Sequence, residues 1–234
     1  MGRRAQRSGV GTRSLSLVLS VAGTAVLATS PAAASTHRPC PPRDAHVVAH
    51  NRRVAVYFRG GPHETAGATE ACLLATGARM TLISAGGRAT HRGLFPQLDR
   101  AVLAGSIVAF EVNQFGVDSG SKSITVADVA KRAILRRIAD VAAYTDAGFV
   151  YEKALTGMVV SATGSVAWIS SEDTRPKPPA AEAAPPLVTV HAAPARGPVQ
   201  VLDEGSGIGP ETLALSGGTL RWWDSGVLRT APMP

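Results

Sequence analysis

Residues 161–170 read SATGSVAWIS, and near-copies stand at 102–110 (VLAGSIVAF) and 213–223 (LALSGGTLRWW). Each copy is a turn of small residues followed by a short apolar strand that ends in an aromatic. Taking that aromatic as a marker gives Tyr57, Phe110, Trp168 and Trp222, at intervals of 53, 58 and 54 residues. Near-constant spacing of this kind marks a repeated supersecondary unit, which must bury its apolar face against its neighbours. The turns fall at Gly105-Ser106, Gly164-Ser165 and Gly217-Gly218. In the first copy Asn51 takes that place, and asparagine is the next best residue for a positive-φ turn.

Each unit reads as a meander of strands. Apolar strands precede the turn at 101–103, 158–160 and 212–215, and the marker strand follows, rich in β-branched residues. Third strands are expected at 70–74, 124–127, 188–191 and 228–231, and fourth strands at 80–83, 134–138 and 199–202. The last unit has no fourth strand in the sequence, and the N-terminal segment is a candidate to supply it. Residues 128–144, DVAKRAILRRIADVAAY, have helical apolar spacing when read alone. The repeat register instead assigns them to strands. The expected fold is all-β, a β-propeller-like array of about four repeats of three to four antiparallel strands, or an open curved β-array.

The pattern S-x-x-G-x-x-A-aromatic at 161–168, followed by LVTVHAA and VQVLDEG, resembles the TolB-like, WD-type β-propeller repeat and exported bacterial proteins that carry it. The resemblance covers roughly residues 44–231. It implies a propeller fold with a tendency to bind partners, and it carries over no catalytic residue.

The N-terminus has the three-part layout of an export signal: Arg3, Arg4, Arg7 and Arg13, then LSLVLSVAGTAVLA, then PAAAS. Cleavage is expected after Ala34, leaving residues 35–43 as an N-terminal segment and 44–234 as the repeat domain. The mature chain is then expected outside the cytoplasm, secreted or in the cell envelope, with no membrane span. The formal charge of +7 falls to about +3 without the four signal arginines, an ordinary surface. Lys131, Arg132, Arg136 and Arg137 form a basic cluster with no interleaved aromatic, which reads as a solvated face rather than a nucleic-acid site. Two cysteines in an exported chain predict one disulfide, Cys40–Cys72, tying the N-terminal segment to the first repeat.

Long connections follow the marker strand in three copies, within 59–68, 113–123 and 170–187. Alternate hairpins of a meander point the same way, so these loops should share a face, where repeat scaffolds bind. They carry the candidate binding residues His63, Glu64, Asn113, Gln114, Asp118, Glu172 and Asp173. The Pro/Ala-rich tract 176–187 reads equally as a stiff spacer. Tyr57, Phe110, Trp168 and Trp222 are assigned to packing between repeats, and Trp223 faces away from them. No GxSxG, HExxH or phosphate-loop pattern occurs. His46 and His50, on one expected strand face with Asp44 nearby, make a weak metal set. No catalytic residue, metal or cofactor is assigned. The reading is a non-enzymatic binding module for a protein or glycan ligand. The alternatives are an extracellular hydrolase or lyase acting on cell-wall or other polymers, and a structural envelope scaffold.

Overall fold

Small-residue turns recur between short β-branched runs, and every described element is accordingly a strand. The computed structural model describes residues 39–59, 67–84, 95–115, 119–145, 149–176 and 185–234. The first sheet is a meander of β1 (His46–His50), β2 (Val54–Arg59), β3 (Ala68–Leu73) and β4 (Arg79–Ile83). An eight-stranded sheet follows. It consists of β5 (Phe95–Ala104), β6 (Ile107–Phe115), β7 (Ser119–Asp128) and β8 (Ala133–Thr145), then β9 (Phe149–Val160), β10 (Val166–Pro176), β11 (Leu187–Ala193) and β12 (Gln200–Gly205). A three-stranded sheet of β13 (Ala214–Ser216), β14 (Thr219–Asp224) and β15 (Val227–Pro232) comes next. All pairings are antiparallel.

The eight-stranded sheet is two four-strand meanders joined by a short seam, Ala143↔Lys153, Tyr144↔Glu152 and Thr145↔Tyr151. Residues 133–145 are strand β8, not helix. Their helical apolar spacing gives way to the ladder with β7, where register shifts at two points absorb the mismatch with strict alternation.

Alternation along the marker strands stacks the meanders in chain order. On β6, Val108 and Phe110 pack with Val54 and Val56 of the first sheet. Ile107 and Ala109 face the other way, toward Met158, Val160, Val166 and Trp168. On β10, Ala167 and Ile169 meet Leu220 and Trp222 of the last sheet. Phe110, Trp168 and Trp222 thus each face the preceding meander. Tyr57 occupies the equivalent place on the first sheet, where it meets Cys40 and Ala45 of the N-terminal segment instead. Burial first, then Glu70, which accepts its hydroxyl proton at 2.7 Å, pushes the Tyr57 phenol up to about 12. Cys40 is bonded to Cys72 across a sequence separation of 32, so this cover is covalently fixed.

Besides the β8–β9 seam, the first strands of successive meanders approach one another, β1 with β5, β5 with β9 and β9 with β13, and β5 and β9 also approach β4 and β6, respectively. Side chains on or beside those strands fasten them to the next backbone. Asn51 Nδ2 donates to Gly105 O (3.1 Å), Arg100 Nη1 to Thr156 O (2.6 Å) and Thr156 Oγ1 to Pro210 O (2.5 Å). Asn51 does not adopt the expected positive φ. Its Oδ1 instead accepts the amides of Arg53 and Val54, an Asx turn that needs no left-handed residue. Gly105, at φ 61°, does take the expected conformation. No strand among the described residues adds to β15, and the described N-terminal residues 39–45 contain no strand.

Candidate functional site

The polar end of the second meander is built by period-two alternation on β6. Beyond Ile107 and Ala109, the same face presents Glu111 and Asn113, only 2% and 3% exposed. Asn113 lies opposite Gln97 on β5 and Lys122 on β7. Lys122 Nζ is 3.0 Å from Asp99 Oδ2 and 2.7 Å from Glu111 Oε1. Asn113 Nδ2 donates to the same Asp99 oxygen at 2.9 Å. Burial works against the Lys122 ammonium, but Glu111 and Asp99 outweigh it and hold its pKa above the ordinary lysine value. A lysine so held is a fixed cation rather than a nucleophile.

The third meander contributes a second polar group. His191 stacks on Trp168, directly across the strand pair, with ring centroids 4.9 Å apart and an interplanar angle of 17°. Its Nε2 is 3.0 Å from Ser170 Oγ. Burial, then the charge of Lys153, pushes the imidazole down to about 4. It is therefore neutral near pH 7 and a poor proton acceptor. Asn113 Oδ1 and Trp168 Nε1 are buried with no protein partner. One is an acceptor and the other a donor, and both are closed off from solvent.

At the opposite ends of the first strands lies an apolar depression of about 650 Å³ lined by Val102, Ala104, Met158, Val160, Leu215 and Met233.

The expected loop residues are distributed differently from the sequence reading. Asn113 and Gln114 are in β6, and Glu172 and Asp173 are in β10, so these four are strand residues. Their strands outrun the apolar stretch because hairpin pairing continues through Phe115↔Gly120 and Pro176↔Phe149. Glu172 lies opposite Leu187 and Lys153, and Asp173 opposite Glu152. His63, Glu64 and Asp118 lie outside the described residues. His46 and His50 do not share a strand face. A bulge between Val47 and Ala49 puts them opposite Phe58 and Ala55, which point to different sides of β2. Among the described residues, no three His, Cys, Asp or Glu side chains gather as metal ligands. No helix among them is long and apolar enough to cross a membrane. In the basic cluster, Arg136 donates to Pro194 O and Lys131 pairs with Asp128, so two of its members are tied to the fold.

Asp99, Glu111 and Lys122 were missed by sequence reasoning. The usable signal was FEVN at 110–113, where polar residues take alternate positions in an apolar strand. Compared with protein-family models, curated proteins and solved structures, the chain matches none.

Proposed function

We propose that this chain is an exported, non-enzymatic binding module on a β-propeller-like array, taking a protein or glycan ligand at the β6–β7 hairpin end of its second meander. The carrying observation is that the polar side chains there are already fixed by one another. Lys122 is clamped by Asp99, Glu111 bears on it, and Asn113 braces Asp99. Groups ordered in advance lose little entropy on binding and suit recognition of hydroxyl or amide groups. Proton transfer would need a group poised near neutrality, and a protonated Lys122 and a neutral His191 are displaced from it in opposite directions. The Cys40–Cys72 bond suits an oxidising compartment. The succession of meanders in contact through their first strands supports the propeller-like reading.

A thermal-shift screen of the full chain against glycans, cell-wall fragments and short peptides tests this. A ligand at a hundred times its Kd stabilises by about 2.7 kcal/mol, and Asn113→Ala should weaken any hit while leaving the fold intact. Failure of every probe, or a hit unaffected by Asn113→Ala, counts against the site.

The hydrolase or lyase reading draws on the two carboxylates, Asp99 and Glu111, that converge on one ammonium. It differs in requiring that the bound polymer be cut.

A further inference from the structure

Hairpins of an antiparallel meander turn alternately at its two ends, and one end of the array carries the turns 51–53, 74–78, 105–106, 129–132, 161–165, 194–199 and 217–218. Hydrogen bonds between meanders fix their common side. Asn51 Nδ2 donates to Gly105 O (3.1 Å), and Arg136 Nη1 to Pro194 O (2.6 Å). All of these turns lie among the described residues. The β6–β7 hairpin, with the candidate ligand site, is at the other end.

The charge of these turns is of one sign. They contain Arg52, Arg53, Lys131, Arg132 and Arg196, and no Asp or Glu. Asp128, the last residue of β7, is buried and paired with Lys131. The side chains of Arg52, Arg53, Arg132 and Arg196 are exposed and make no hydrogen bond or ion pair among the described residues. Residues 1–38 contain no Asp or Glu either, so they hold no group that could neutralise these arginines.

An exposed apolar side chain accompanies the cations in each of the first three meanders. Leu74 N donates to Arg53 O at 2.9 Å, Ile134 stands near the start of β8 just past Arg132, and Val199 shares the β11–β12 turn with Arg196. Leu74 is 40%, Ile134 37% and Val199 40% exposed. The apolar depression of about 650 Å³ takes in Gly217 and Gly218, which adds apolar surface to the same end. A soluble polyanion would engage the arginines and gain nothing from their apolar companions. The surface of an anionic bilayer takes both, the guanidinium among the headgroups and the aliphatic side chain at the acyl boundary.

We propose that this end docks on an anionic lipid surface, with Arg52, Arg53, Arg132 and Arg196 meeting the headgroups and Leu74, Ile134 and Val199 entering the boundary beneath them. Docking this way turns the β6–β7 end away from the lipid.

Flotation of the full chain with phosphatidylcholine vesicles, with and without phosphatidylglycerol, tests this. The apolar run near the N-terminus is common to every variant, so differences between variants report on the turns. Arg52→Gln with Arg53→Gln should weaken partitioning to phosphatidylglycerol vesicles about thirtyfold. Arg132→Gln with Arg196→Gln, in other meanders, should do the same, and salt should shrink both differences. Leu74→Ser with Val199→Ser should weaken partitioning to vesicles and leave binding to soluble polyphosphate unchanged. Equal partitioning of the wild type and both arginine pairs overturns the proposal. So does vesicle binding that Leu74→Ser with Val199→Ser leaves intact, because the turns then recognise a polyanion and not a lipid surface.

Discussion

Acidification should loosen the joint between the second and third meanders through His191. Its imidazole is displaced from 6.5 to about 4 by burial and then by Lys153, while Ser170 and Trp168 hold the ring. Between those two values the unfolded chain binds a proton that the folded chain refuses. Stability is therefore fully present above about pH 6.5 and falls as pH drops toward 4. The displacement corresponds to at most about 3 kcal/mol, and solvent reaching the partly exposed ring reduces this to about 1 to 2 kcal/mol. The assay is urea unfolding of the wild type and His191→Gln at about pH 7.5 and about pH 4.5, comparing extrapolated stabilities. The wild type should lose about 1 to 2 kcal/mol more than the variant over that interval. Asp128, held below its ordinary value by the backbone amides of Lys131 and Ala130, Ser106 and Lys131 despite burial, contributes its loss at lower pH. Equal losses for wild type and variant would refute the reasoning.

Three further outcomes follow from the same contacts. Phe110→Ala, in the cluster between the first two meanders, should cost about 3 to 5 kcal/mol in equilibrium unfolding, whereas Trp223→Ala on the exposed face should change stability by about 0.5 kcal/mol or less. Removing the disulfide by Cys40→Ser with Cys72→Ser frees a loop of separation 32, and should cost about 3 to 4 kcal/mol, read from the shift in denaturation midpoint. Lys122→Met leaves Glu111 buried beside Asp99 without its cation, and should cost about 3 kcal/mol. Adding Glu111→Gln to that variant should restore part of the loss.

The stacking was legible where packing obeys simple alternation. Tyr57, Phe110, Trp168 and Trp222 could be aligned from sequence because each fills the same interior position, and glycine at 105 and 217 marks a backbone with positive φ. Strand ends were not legible. Residues 113–123 read as a loop because Asn and Gly disfavour strands, yet β6 and β7 pair along 113–115 and 120–123. Two local features offset that preference. Lys122 bridges to Asp99 and Glu111, and the Tyr144 ring lies over Gly120, filling the space where a side chain would be. Neither can be read from a window along the chain, because the partners come from other strands. The His46/His50 bulge and the Asx turn at Asn51 escaped for a related reason: each replaces a regular pattern by one local hydrogen-bond solution.

Binding without turnover is tested most directly by incubating the full chain with cell-wall glycan fragments and short peptides, separating the bound fraction, and weighing the recovered ligand by mass spectrometry. The account predicts a retained ligand of unchanged mass whose retention is lost in Asn113→Ala. Recovery of cleaved fragments, abolished by Glu111→Gln, would contradict it and make the paired carboxylates catalytic.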